Sequence, residues 1–224
     1  ADIIDMAFGK GHHLHLIDGS AYIFRAYHAL PPLTRASDGM PVGAVSGYCN
    51  MIYKLVEDAK GPDAPTHVAV IFDHSGKTFR NDIYDKYKAQ RPPAPEDLKP
   101  QFALIRQATR AFNLPCIEME GFEADDLIAT ATDRLVDAGN QVIIVTGDRD
   151  SYQLVSDPDV KVLYNKRGVS DYAFYDEAGI EERTGVTPAL YPQYAALRGD
   201  NSDNLPGVPG VGEKTAAKLI NQYG

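Results

Sequence analysis

The sequence predicts an α/β protein with a mostly parallel sheet and helices on both faces. Apolar, strand-like runs alternate with longer amphipathic stretches, as in successive βαβ units. Several runs are almost continuously apolar, which is typical of strands that are covered on both faces. Acidic residues end or directly follow these runs, and parallel strands bring their carboxyl ends to one edge of the sheet. The same pattern therefore predicts both a fold class and a position for a functional site.

The elements follow one another in a regular order. After Gly19 and Ser20 turn the chain, a first helical stretch follows the first strand. Thr187 and Pro188 are typical of an N-cap and a first helical position, which predicts a helix to about Arg198. The pattern predicts strands over 13–18, 67–73, 114–119, 141–146, 160–164 and 172–175, and helices over 42–59, 96–112 and 123–138.

The chain has 224 residues, enough for one substantial core or for a main domain with a small appendage. We expect residues 1–11 to be a loose tail or remnant, residues 12–183 to form the core, and residues 184–224 to form a truncated helix-hairpin-helix subdomain. No apolar run is long enough to span a membrane. Cys49 and Cys116 have apolar sequence neighbours, so we expect buried free thiols and a cytoplasmic protein.

The stretch from Gly121 to Asp126 places three acids at the start of a predicted helix. Taken alone, such acids are typical of a first helical turn, where they favour the positive end of the helix dipole. Acids also lie at the ends of other predicted strands, which the helix dipole does not explain. Carboxylates gathered at one edge repel each other unless cations lie among them, and hard oxygen ligands suit Mg²⁺ or Mn²⁺. The acids in question are Asp18, Asp73, Glu123, Asp125, Asp126, Asp148 and Asp150.

Residues 75–95 form a long, basic and proline-terminated stretch, which we call the arch segment. The net charge of −9 by itself disfavours a nucleic-acid binder, but residues 77–91 carry five basic side chains. One interpretation is a solvated linker. The other is a mobile gate over single-stranded nucleic acid, with Tyr84 and Tyr87 as stacking faces. Because glycine and proline flank the segment, we expect weak order there in the free protein.

A second binding signal lies near the C-terminus. The spacing of Gly207, Gly210 and Gly212 is typical of a tight hairpin that leads into a helix. Such a turn exposes backbone N–H groups at a helix N-terminus, where they contact phosphate well. Lys214 and Lys218 lie one turn apart on that helix and can add charge contacts. The combination predicts binding to a nucleic-acid backbone without sequence preference.

Together these residues resemble the 5′-nuclease domain found at the N-terminus of bacterial DNA polymerase I, within the flap endonuclease superfamily. The resemblance extends over about residues 13–223, with the motifs in family order and no acid missing. The motifs that carry it are Leu-Ile-Asp18-Gly-Ser, Phe24-Arg25, Phe72-Asp73, Phe79-Arg80, Tyr87-Lys88-Ala-Gln-Arg91, Gly121-Phe-Glu123-Ala-Asp125-Asp126, Thr146-Gly-Asp148-Arg-Asp150 and the run from Gly199 through Asp200 and Asp203 to Gly212.

The resemblance implies a PIN-like core, a helical arch over the active site and a helix–three-turn–helix that grips duplex DNA. It implies a first metal site at Asp18, Asp73, Glu123 and Asp125, and a second at Asp148, Asp150, Asp200 and Asp203, with Asp126 in the shell they share. It further implies that Lys88 and Arg91 contact the scissile phosphate, that Tyr87 stacks beside them, and that Arg25 and Arg80 contact phosphates. The hairpin, with Gly207, Gly210, Gly212, Lys214 and Lys218, is implied to bind DNA and K⁺.

The implied function is that of a structure-specific 5′ nuclease, both a 5′-3′ exonuclease and a 5′-flap endonuclease. It would hydrolyse DNA with two Mg²⁺ ions, for which Mn²⁺ can substitute, in RNA primer removal and DNA repair. The implied partners are flap or nicked DNA, with no membrane, and the implied state is a bacterial, nucleoid-associated monomer. Since the chain stops soon after the second hairpin helix, we expect an excised domain or a fragment of a larger chain that includes polymerase domains.

Two other functions remain open from the sequence. One is a structure-specific DNA-binding module whose hydrolysis is weak or absent in this truncated form. The other is a metal-dependent phosphatase or RNase on a similar acidic edge. That second alternative predicts neither the lysine of the arch segment nor the hairpin.

Overall fold

The computed structural model describes residues 11–61, 64–168 and 170–224; of the predicted tail, residues 1–10 lie outside this range. One six-stranded sheet lies at its centre. Its strands are β1 (His13–Asp18), β2 (His67–Ile71), β3 (Cys116–Ile117), β4 (Gln141–Thr146), β5 (Val160–Arg167) and β6 (Asp171–Tyr175). Their order is β3-β2-β1-β4-β5-β6. The first five pair in parallel and β6 is antiparallel to β5, which confirms a mostly parallel sheet.

Helices cover both faces of this sheet, as the sequence predicts. They are α1 (Gly19–Ala29), α2 (Gly43–Asp58), α3 (Phe79–Ile83), α4 (Lys99–Ala111), α5 (Ala124–Asp137), α6 (Glu177–Thr184), α7 (Tyr191–Arg198) and α8 (Glu213–Tyr223), with 3-10 turns at Arg149–Leu154 and Pro188–Leu190. No helix in the described part of the chain is long and apolar enough to cross a membrane.

The two faces have separate apolar clusters. Neighbouring strand residues point to opposite faces, so Leu16 packs in one cluster and Ile17 in the other. Helices α1, α2 and α4 cover the face of Ile17, where Tyr48 is fully buried. Helices α5 to α8 cover the face of Leu16. Ile220 of α8 belongs to this cluster, so the C-terminal helices share the core of the sheet.

Several elements differ from the sequence-based expectation. Helix α6 was not predicted, because Ile180 is its only buried residue and gives no apolar period; Asp176 starts it by accepting from the backbone N of Gly179 at 2.8 Å. The third strand has only two residues. Helical structure in the arch segment is limited to the short α3. Cys49 and Cys116 are free thiols, but they are half-buried rather than buried.

The hairpin between α7 and α8 depends on a close backbone approach. Gly199 and Gly207 both have positive φ angles, 75° and 61°. A Cβ atom on Gly207 would lie 2.4 Å from the backbone N of Gly199, closer than real Cβ contacts. Between them, Asp200 and Leu205 form an antiparallel bridge. The hairpin therefore requires glycine at these two crossing points.

Candidate active site

The predicted acids come from five places in the fold that meet at the carboxyl edge of the sheet. Asp18 is the last residue of β1, and Asp73 follows β2 by two residues. Glu123 is the N-cap of α5, with Asp125 and Asp126 in its first turn. Asp148 and Asp150 follow β4, and Asp200 and Asp203 lie in the hairpin.

Hydrogen bonds fix the two acids that end the first strands. One oxygen of Asp18 accepts from the backbone N of Ala21 at 2.9 Å and so caps α1. Its other oxygen accepts from the hydroxyl of Thr146 at 2.7 Å. The carboxylate of Asp73 accepts from the backbone N of Ala124 at 2.7 Å, which joins β2 to the start of α5. Thr146, a motif residue to which the sequence analysis assigned no role, thus orients a predicted metal ligand from the adjacent strand.

Four of these carboxylates form one electrostatic group. Burial raises the pKa of Asp125 well above its usual value, and the charges of Asp18 and Asp148 raise it further. Burial likewise raises the pKa of Asp18 to about 7, despite its hydrogen bonds. The pKa of Asp150 is raised to about 6 by burial and then by Asp148, and that of Asp148 is raised by desolvation. These acids are close enough to disfavour each other's charge, so the group has the character of a cation site.

The arch segment supplies cations to the opposite side of this group. The Nζ of Lys88 donates to Glu123 at 2.8 Å and lies 4.0 Å from Asp203. Arg91 donates to Asp203 at 2.5 Å. The structure therefore places both predicted phosphate contacts against carboxylates of the site.

Tyr87, which the resemblance implies as a stacking residue, is enclosed in this conformation, and its stacking role stays a prediction. Its side chain is only 7% exposed, and its hydroxyl donates to Glu123 and Asp203 at 3.2 Å each. The Nζ of Lys88 covers its ring, 4.9 Å from the centroid. Burial and the two acids raise the pKa of Tyr87, so the hydroxyl stays a donor. No open ring face is available to a base here.

The two predicted arginines also have protein partners. Both terminal nitrogens of Arg80 donate to Asp126 at 2.8 Å, a bidentate pair. Burial alone would raise the pKa of Asp126, but this pair and a bond from the backbone N of Glu123 hold it below its usual value. Arg25 is half-buried and donates to the carbonyl of Asn165 at 3.3 Å. Neither guanidinium points freely toward a substrate in this conformation.

The structure does not assemble the acids into two finished metal sites. Across residues 11–61, 64–168 and 170–224, no three His, Cys, Asp or Glu residues have the arrangement of a metal-binding cluster. Glu123, Asp126 and Asp203 are instead paired with basic side chains. The predicted ligands thus lie at one edge as neighbours, but three of them are neutralised by the arch segment.

Residues 86–91, the arch base, border two cavities: Tyr87 lines one, and Lys88 and Arg91 line the other. One has a volume of about 390 Å³ and is lined by Arg80, Asp125 and Asp150 among others. The other, of about 670 Å³, is lined by Asp73 and Arg106 among others. Glu123 borders both cavities. A chain that crosses the acid group would therefore pass beside the arch base.

Arg106 is a second residue that the sequence analysis did not select. Its guanidinium donates to Glu118 at 2.7 Å and to the carbonyl of Asp73 at 2.8 Å. It also lies 4.8 Å above the ring of Phe72. It supports the strand end that carries Asp73. In the sequence it is one basic residue on an amphipathic helix, which gives no local signal.

The hairpin presents its predicted DNA contacts on the surface. Gly210 and Gly212 are exposed, as are Lys214 and Lys218 on α8, whereas Gly207 is half-buried at the crossing. Gly212 is the N-cap of α8, and it has no side chain to satisfy the first N–H groups of the helix. This helix start is therefore accessible to an anion.

Comparison with known proteins shows matches along most of the chain. The family model described as 5′-3′ exonuclease, N-terminal resolvase-like domain, matches residues 13–185. The model described as 5′-3′ exonuclease, C-terminal SAM fold, matches residues 186–224. Both agree with the resemblance identified from the sequence motifs.

Curated relatives are much longer than this chain. DNA polymerase I of Rhizobium leguminosarum is 56% identical over 218 residues, which cover 96% of this chain and 21% of the relative. DNA polymerase I of Mycobacterium tuberculosis H37Rv is 46% identical over 212 residues, which cover 94% and 23%. The chain thus spans about a fifth of the length of these relatives.

Solved structures share the fold. The T5 D15 protein co-crystallized with metal ions has a TM-score of 0.72 and 23% identity, with 95% of this chain and 75% of that chain covered. Human GEN1 in complex with Holliday junction DNA has a TM-score of 0.56 and 20% identity, with 95% and 50% covered. At these identities the likeness shows the fold alone.

Proposed function

Because this chain belongs to the 5′-3′ exonuclease family, we propose that it is a structure-specific 5′ nuclease that hydrolyses DNA at a 5′ flap or a nick. The match over residues 13–185 and the identity to DNA polymerases I support the nuclease class. In the proposal, a free 5′ single strand passes beside the arch base while the hairpin holds the downstream duplex. The enzyme acts as exonuclease and flap endonuclease on such ends.

The observation that carries this proposal is the group of carboxylates gathered at the sheet edge, of which Asp18 is buried and Asp125 and Asp150 are half-buried, with raised pKa values. Carboxylates that repel each other fit hard divalent cations, Mg²⁺ or Mn²⁺. Two such cations, when bound, supply the charge that activates a water and stabilises the leaving 3′-oxygen. Asp18, Asp73, Glu123 and Asp125 would hold the first, Asp148, Asp150, Asp200 and Asp203 the second, with Asp126 in the shell they share.

Lys88 and Arg91 have a direct role in the proposed reaction. In the absence of DNA they donate to Glu123 and Asp203. A phosphate that reaches the site competes for the same donors, and its charge grows in the transition state. Once they have exchanged partners, these two cations stabilise that charge. Arg25 and Arg80 are proposed to exchange their protein acceptors for phosphates in the same way, and Tyr87 to leave its pocket when it stacks on a base.

The hairpin binds the duplex in this proposal. Gly207 provides the backbone crossing, Gly210 and Gly212 keep the backbone open to approach, and K⁺ is proposed to bind carbonyl oxygens of the same turn. Lys214 and Lys218 are exposed on α8 and add contacts to phosphates. Such contacts hold DNA without reading its sequence.

The variant Asp125→Asn tests the catalytic assignment. Asp125 is a half-buried member of the acid group, and loss of its charge weakens cation binding with little change in shape. We expect cleavage of flap DNA in Mg²⁺ to fall at least about 100-fold. Binding to the same DNA in Ca²⁺ should stay within about threefold of the wild type.

Asp133→Asn is the matched control for Asp125→Asn. Asp133 is exposed on the same helix, outside the acid group, and its variant should cleave like the wild type. Unchanged turnover in Asp125→Asn would contradict the assignment of the acids.

A second candidate function is a structure-specific DNA-binding module with weak or no hydrolysis. The ion pairs of Lys88 and Arg91 favour it, because they occupy carboxylates that a cation needs. This candidate predicts salt-dependent binding to flap DNA and no metal-dependent product.

The wider biological role is also a proposal. Relatives named DNA polymerase I are several times longer than this chain, which supports a nuclease covalently linked to polymerase domains. In that setting the reaction removes RNA primers and displaced strands during DNA replication and repair. We propose a cytoplasmic, nucleoid-associated monomer that acts on DNA.

A further inference from the structure

Three consecutive backbone carbonyls of the hairpin, those of residues 201–203, accept hydrogen bonds from the arch base. The Nε2 of Gln90 donates to the first two, at 2.8 and 3.1 Å. The Nε of Arg91 donates to the second at 2.9 Å, and the backbone N of Lys88 donates to the third at 3.0 Å. The arch base is therefore bound along this row, and not only through its charged side chains.

Asn204 holds the same junction from the other side. Its Nδ2 donates to the carbonyl of Lys86 at 2.7 Å. Its φ angle is +61°, in the left-handed region that asparagine tolerates better than most residues. Lys88 also has a positive φ, of 53°, an unfavourable backbone conformation for lysine that the bond to Asp203 helps to hold. Two strained turns thus face each other and are tied by neutral hydrogen bonds.

We propose that Gln90 and Asn204 are positioning residues of the nuclease: they hold the arch base on the hairpin, so that Lys88 and Arg91 stay beside the acid group. The catalytic part of this inference rests on the proposed function. Neither residue touches the acids through its side chain, and both act through backbone carbonyls.

The chemistry of the contacts explains why neutral residues suit this task. When a DNA phosphate arrives, the side chains of Lys88 and Arg91 exchange their carboxylate partners for it. Hydrogen bonds from Gln90 and Asn204 end on uncharged carbonyls, so the phosphate does not compete for those acceptors. The arch base can therefore keep its position on the hairpin while the side chains of Lys88 and Arg91 change partners.

Hydrogen exchange in the free protein tests the contact itself. Asn204→Gly keeps the left-handed conformation accessible but removes the donor, and Gln90→Met keeps side-chain length but removes the donor. We expect the amide of Lys88, which bonds across the junction, to exchange about tenfold faster in the double variant. The matched control combines Asn113→Gly, another left-handed asparagine, with Gln222→Met, both at exposed positions elsewhere. Exchange at Lys88 should not change in the control.

Steady-state cleavage of flap DNA in Mg²⁺ tests the role in the reaction. If the junction positions Lys88 and Arg91, the double variant should lose about tenfold in kcat, with KM within about twofold of the wild type. A double variant that is partly unfolded would instead have a lower active fraction. Thermal unfolding of both double variants measures the folded fraction. The control pair should match the wild type in kcat and KM.

The outcomes separate this inference from the proposed function. Wild-type exchange at Lys88 in the Asn204→Gly, Gln90→Met variant would show that these residues do not hold the arch base. Faster exchange with a wild-type kcat would show that the contact does not serve the reaction. If the wild type itself does not cleave flap DNA, the proposed function and the catalytic part of this inference fail together. The exchange experiment would then still decide whether the contact exists.

Discussion

Asp125 and Asp126 are adjacent in sequence but have opposite electrostatic environments. Asp125 faces other acids, which together with burial raise its pKa. Asp126 accepts two hydrogen bonds from Arg80, which hold its pKa low. Successive residues on a helix are about 100° apart, so one carboxylate faces the sheet edge and the other the arch segment. The carboxylates therefore repel one another on the side of Asp125, whereas a basic side chain of the arch segment neutralises the carboxylate on the side of Asp126.

The raised pKa values imply a pH dependence for the metal-free protein. A carboxyl with a folded-state pKa above its unfolded value binds its proton more tightly when folded. The contribution of such a carboxyl to stability is therefore largest below its unfolded-state pKa and is lost as pH rises from there to its folded-state pKa. For Asp150 and Asp18, with folded-state pKa values of about 6 and about 7, this loss falls between about pH 4 and pH 7. Urea unfolding in EDTA should show it.

The variant Asp125→Asn should flatten this profile. It removes one of the repelling charges, so we expect the variant to be more stable than the wild type at pH 8 by about 1–3 kcal/mol. At pH 5.5, where Asp18 and Asp150 are largely protonated in the folded protein, the difference should shrink. Asp133→Asn serves as the exposed control. A variant less stable than the wild type at pH 8 would mean that other groups offset the repulsion between these carboxylates.

At the residue scale, the sequence predicted which side chains meet but not how they pair. Strand ends and a helix start determine where Asp18 and Asp125 lie, so pattern alone could place them. The burial of Tyr87 and the pairing of Arg80 with Asp126 depend on how the arch segment folds back. Such long-range contacts leave no periodic signal in the sequence.

At the scale of the elements, strong periodicity was a reliable guide. Strand β4 matches its predicted bounds, and α2 and α5 differ by one residue at each end. Strand β3 is shorter than expected because only Cys116 and Ile117 pair with β2. Helix α6 was missed because it buries a single side chain. The weak order expected for the arch segment stays a prediction.

The hairpin offers a test at this scale. In Gly207→Ala, the new Cβ would lie 2.4 Å from the backbone N of Gly199, and φ is already positive. We expect a loss of about 2–4 kcal/mol in the free energy of unfolding, because two backbone segments must separate. Gly212→Ala is the control, since its Cβ meets open space at an ordinary φ. Thermal or urea unfolding measures the stability of both variants. Equal stability would mean that the fold does not need the close approach of Gly199 and Gly207.

At the scale of the whole molecule, opposite charges are separated within an acidic chain. The net charge is −9, yet basic residues of the arch segment pair with acids of the site, and two further lysines are exposed on α8. The fold class, the acid edge and the hairpin could be predicted because each has its own pattern. The junction between arch base and hairpin could not, because it joins side chains and backbone carbonyls more than a hundred residues apart.

The central claim is that this acidic edge cleaves 5′ ends of DNA with a divalent cation. An end-labelled 5′-flap duplex incubated with the protein in Mg²⁺, in Ca²⁺ and in EDTA tests it most directly. We expect a short product released near the flap junction in Mg²⁺ only, with binding but no cleavage in Ca²⁺. Binding in Ca²⁺ with no product in Mg²⁺ would contradict the nuclease and favour a DNA-binding module.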